Sequence, residues 1–132
     1  SGNTTVLTVT GGPILLDSII GEVTTVIQAQ ACNLKLTSVD TVTSTAVDIC
    51  ANLDINAKAA GSFMTITGTF ADALVNTAGG TSSQANTATV YRGPVIIPAG
   101  VVRITTSATN TGNIRWTARY RPMSTGVSVT VA

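Results

Sequence analysis

Ile14-Leu15-Leu16-Asp17-Ser18-Ile19-Ile20-Gly21-Glu22-Val23-Thr24-Thr25-Val26-Ile27-Gln28-Ala29-Gln30-Ala31 is the stretch on which the fold class turns. Leu16, Ile19, Ile20, Val23 and Ile27 satisfy the spacing of an apolar helical stripe. Against a helix stand Gly21 in its middle and the β-branched run Val23-Thr24-Thr25-Val26-Ile27, whose side chains are stiff at χ1 and suit a pleated surface. The stretch therefore reads as two strands separated near Gly21.

Outward from it, Thr4-Thr5-Val6-Leu7-Thr8-Val9-Thr10 reads as a strand closed by the breaker cluster Gly11-Gly12-Pro13. Downstream, strands are predicted over 33–38, 45–55 and 62–70, the last alternating Phe63, Thr65 and Thr67 with Met64 and Ile66. Residues 71–88 read as a loop holding at most one helical turn, and strands follow over 89–92, 94–97, 101–106, 113–121 and 127–131. About eight to ten short strands at intervals of roughly 8–12 residues point to an all-β antiparallel sandwich or jelly roll. Helix is too scarce for repeated βαβ units. The 132 residues form one domain, with residues 1–12 an extended amino-terminal arm or edge strand.

Composition narrows the partners. Charged residues make up 10% of the chain and the net charge is +1, too weak a field for nucleic-acid binding driven by phosphate neutralisation. Asp17, Glu22 and the Thr24-Thr25 pair interrupt the longest apolar stretch, so no membrane-spanning run is expected. The opening Ser1-Gly2-Asn3 carries no basic segment of the kind that begins a secretory signal.

The 101–121 segment reads as a β-hairpin, with Ser107-Ala108-Thr109-Asn110-Thr111-Gly112 as its turn. On its second strand Ile114, Trp116, Ala118 and Tyr120 share one face, the buried one, and Arg115, Thr117, Arg119 and Arg121 the other. Matching the buried faces sets Val102 and Ile104 against Trp116 and Ile114, which brings Arg103 onto the arginine face. Arg103, Arg115, Arg119 and Arg121, four of the seven cations, form the candidate interface. Two readings stand for it: a solvated face paired with Asp48 or Asp54 of a neighbouring strand, or guanidinium groups that meet carboxylates of another subunit.

Catalytic and ligand-binding motifs are scarce. The chain has no histidine, which removes the usual general base and the commonest zinc ligand. It has neither a phosphate loop nor a Gly-x-Ser-x-Gly elbow, so no catalytic residue, metal site or cofactor is expected. Asp48 and Asp54 lack the central glycine and closing glutamate of an EF-hand loop. Strand parity turns Cys32 inward and Cys50 outward, beside Asp48, which predicts two free thiols. The few aromatic residues read as core.

Two segments carry a resemblance. The 11–31 stretch, and the ending Gly112-Asn113-Ile114-Arg115-Trp116-Thr117-Ala118-Arg119-Tyr120-Arg121-Pro122, resemble small jelly-roll virion proteins of tailed bacteriophages, over about a third of the chain. The resemblance implies a non-enzymatic capsid decoration or cement protein, made in the host cytoplasm and carried on the virion surface. It further implies a trimer that binds the major capsid protein and stabilises the head. A tail-fibre or receptor-binding β domain is the alternative within that resemblance, and a carbohydrate-binding module a weaker one.

Overall fold

The computed structural model describes residues 2–77 and 91–132. Among them the chain is all-β, with eleven strands: β1 (Gly2–Thr10), β2 (Ile14–Thr25), β3 (Asn33–Asp40), β4 (Ala46–Asp48), β5 (Leu53–Asp54), β6 (Phe63–Thr65), β7 (Val75–Asn76), β8 (Val95–Ile97), β9 (Gly100–Thr106), β10 (Asn113–Pro122) and β11 (Ser128–Val131). They form two sheets. A six-stranded sheet runs β11-β1-β9-β3-β4, with β5 also on β3, and a five-stranded sheet runs β10-β2-β6-β7, with β8 also on β2. All strand pairs are antiparallel. Leu7, Val9, Leu34, Leu36 and Val102 from the first sheet and Ile14, Leu16, Ile19, Val23 and Met64 from the second belong to one hydrophobic core. Removing their apolar surface from water is the main force holding the sheets together.

The deciding stretch is strand, but one strand rather than two. β2 runs unbroken for 12 residues through Gly21, which lies opposite Trp116 on one side and Met64 on the other. A Cβ at Gly21 would meet Trp116 Cζ3 at 2.8 Å, Cη2 at 2.9 Å and Ile114 Cγ2 at 3.1 Å. The glycine makes room for an indole lying across the strand, which is why it does not end the strand.

The expected hairpin does not form. β9 sits between β1 and β3 in the six-stranded sheet, whereas β10 is at the end of the five-stranded one. Residues 107–112 cross between sheets, held by Ser107 N donating to Asn33 O at 3.0 Å and by Gln28 N donating to Thr111 O at 2.9 Å. Both strands still turn apolar residues inward, so alternation is right for each and blind to which sheet each joins.

Other segments break where alternation does. The 45–55 strand is two short pieces, β4 and β5, because consecutive Ile49 and Cys50 are both buried. Cys50 is therefore inside, its Sγ accepting Leu36 N–H at 3.3 Å, and both cysteines are buried free thiols. Only residues 63–65 of 62–70 are strand, and Met64, Thr65, Ile66 and Thr67 are all buried. Residues 75–76, expected in a loop, are strand β7, and 91–92 are not strand. The expectations for 78–90 lie outside the described residues.

Candidate interaction surface

The candidate surface is built on β10 and its only strand neighbour among the described residues, β2. Ile114, Trp116 and Ala118 turn inward and are partly buried against the core, as alternation predicts. The register then slips between Arg119 and Tyr120. The extra residue of that slip is Asp17 on β2, so Tyr120 keeps the parity of the row, opposite the buried Leu16, but it is 38% exposed and is not packed against the core with Ile114, Trp116 and Ala118.

On the outer face, Arg115 lies opposite Glu22, Thr117 opposite Ile20 and Arg119 opposite Ser18. Arg115 Nη2 donates to Glu22 Oε1. Arg121 holds Asp17 with both ends of its fork, Nε on Oδ2 at 3.1 Å and Nη2 on Oδ1 at 2.8 Å. Those hydrogen bonds, with the nearby charge of Arg119 adding to them, keep the Asp17 carboxyl below its ordinary range. Both pairs are exposed, so they fix side-chain directions more than they stabilise the fold. Arg119 makes no ion pair among the described residues.

Beside Arg119 lies an open cavity of about 470 Å³, lined by Asp17, Ser18, Ile20, Tyr91, Thr117 and Arg119. The Tyr91 hydroxyl donates to the Asp17 carbonyl. Burial, then the charge of Asp17, pushes its phenol pKa up, so the group stays a neutral donor.

Three of the four predicted interface residues are thus together. Arg103 is not: it is on the six-stranded sheet, opposite Thr5 and Thr37, with its Nε buried and unpartnered among the described residues. The predicted acidic partners are also different. Asp48 pairs with Lys35 at 2.8 Å, and Asp54 Oδ1 accepts the backbone N–H of Cys32 at 3.1 Å and of Asn56 at 3.0 Å. The carboxylates that meet the arginines are Asp17 and Glu22. Strict alternation would put these two on opposite faces of one strand. The register slip beside Ser18, which leaves Ser18 and Ile19 both buried, brings them to the same side. Sequence parity offered no signal for that.

Among the described residues, no group of three or more His, Cys, Asp or Glu is placed to hold a metal, and no helix is long and apolar enough to cross a membrane. No family model, curated protein or solved structure matches the chain.

Proposed function

We propose that this chain is a virion structural protein of a tailed bacteriophage, a jelly-roll sandwich that binds the outer surface of the head as a trimer and cements major capsid subunits. The observation that carries the reading is the outer face of the five-stranded sheet. Arg115 and Arg121 are held in place there by internal carboxylates, and Arg119 has no acid of its own. Arg119 stands between two arginines already paired within the chain, and its planar fork is suited to meeting a carboxylate of a neighbouring subunit. A closed lattice multiplies such contacts, so each one can be weak. The sequence resemblance of 11–31 and 112–122 supplies the phage context.

The test is light-scattering mass followed by co-sedimentation with phage heads. Three chains per particle and saturable binding to expanded heads are expected, with binding reduced in the folded double variant Arg115→Glu, Arg119→Glu. A monomer that stays in the supernatant would remove the reading.

A further inference from the structure

β10 is the end strand of its sheet, and its far edge has no strand neighbour among the described residues. Across the gap between the sheets, β1 pairs with β11 over Leu7–Thr10, so its first half, 2–5, pairs with β9 alone among the described residues. Between these two open edges lies a cavity of about 340 Å³, whose lining includes Thr4, Leu34, Ile104, Asn110, Ile114 and Trp116. Asn110 Nδ2 donates to Gln28 O at 3.3 Å and Gln30 O at 2.8 Å. Its Oδ1 is buried and has no partner among the described residues. On the other face of the same strand stands Arg119.

We infer that the free edge of β10 takes up an extended segment of another protein as an added strand. The segment carries a carboxylate opposite Arg119 on the outer side and an aliphatic side chain entering the cavity beside Ile114 and Trp116 on the inner side. Strand addition supplies main-chain hydrogen bonds for affinity and alternate side-chain sites for selectivity. Arg119 is three residues from Trp116 and five from Ile114, so the acid and the aliphatic residue are separated by an odd number of positions. Asn110 Oδ1 is an acceptor for a donor on the incoming segment.

A second copy of this chain brings no free carboxylate to Arg119, since β10 itself contains no Asp or Glu. Two-fold pairing of β10 with itself, centred on Thr117 or Ala118, sets Arg115 against Arg119 or Arg121, and like charges directly opposite are unfavourable. The chain's other edges offer no free acid: β11, β7 and the 2–5 segment have none, Asp48 on β4 is engaged by Lys35, and Asp54 on β5 by the backbone N–H groups of Cys32 and Asn56.

The inference deepens the interface reading above, and rests on it for the claim that a partner protein covers β10. Its test needs no capsid. The probes are the blocked heptapeptide Thr-Ile-Thr-Thr-Asp-Thr-Thr and its reverse, which cover both strand directions, titrated into ¹⁵N-labelled protein. Saturable shifts at β10 amides, the Trp116 indole N–H and the cavity-lining residues, Asn110 among them, are expected with one of them. Arg119→Glu should weaken binding about tenfold, and a peptide with Lys in place of Asp should bind that variant better than the wild type. No saturable binding by either peptide, shifts elsewhere, or indifference to Arg119→Glu would overturn the inference. Peptide binding by a protein that ignores phage heads would keep the strand site and discard the capsid role. Head binding with no peptide binding would discard the strand site alone.

Discussion

The contact between Gly21 and Trp116 makes a prediction in which two harmful substitutions partly cancel. A Trp side chain buries about 150–250 Å² when fully enclosed. Trp116 is only partly buried against the core, so about 120 Å² is a fair working figure, worth about 3 kcal/mol at roughly 25 cal/mol per Å². Trp116→Ala should therefore destabilise by about 3 kcal/mol, at the low end of the cost of a fully buried aromatic. Gly21→Ala places a methyl 2.8 Å from the indole, closer than side-chain carbons approach, and displacing the packed ring should cost about 1–3 kcal/mol. With the indole gone, the main clash disappears, and alanine in a strand interior is better than glycine by about 0.5–1 kcal/mol. Gly21→Ala should then be neutral or mildly stabilising in the Trp116→Ala background. Urea unfolding of the four proteins closes the cycle, with an expected coupling of about 1–3 kcal/mol. Additive costs would show that Gly21 is not there to seat the indole.

The buried Cys50 thiol, pushed up to about 11 by burial, stays protonated in the folded chain while the unfolded thiol ionises from its ordinary 9.0 upward. Stability should therefore fall as pH rises from 9.0 towards about 11, and Cys50→Ala should flatten that limb of a plot of melting midpoint against pH. For the same reason Cys50 in the native protein should react with a thiol reagent far more slowly than after unfolding, and equal rates would contradict its burial. At the acid end the sign reverses. Asp17, held low first by Arg121, contributes stability above its ordinary 3.8 that is lost as pH falls below it, so Arg121→Ala should show a shallower acid limb in urea midpoints.

Much of the strand content was legible because it rests on local chemistry. The β-branched run 23–27 and the Thr and Val alternation of 4–10 constrain the backbone through neighbours one and two residues away. The inward row Ile114, Trp116 and Ala118, with its outward arginines, followed from alternation alone. Where alternation failed, a bulge or a break had intervened: at Asp17 through a register slip, and at Cys50 through the interruption between β4 and β5. Such irregularities depend on how a strand meets its neighbour, a relation that one strand's sequence does not contain.

By itself, then, the sequence determined the β character of the chain, the inward and outward faces of its regular strands, and the presence of arginines on one side of 115–121. Only the tertiary structure decided that Arg103 belongs to the other sheet, that Asp17 and Glu22 meet Arg121 and Arg115, and that one edge of β10 has no strand neighbour among the described residues. Face assignment follows from a two-residue period along one segment. Sheet membership depends on where segments up to about a hundred residues apart pack together, as Glu22 and Arg115 do, and the gain from that packing belongs to the assembled core rather than to any one stretch.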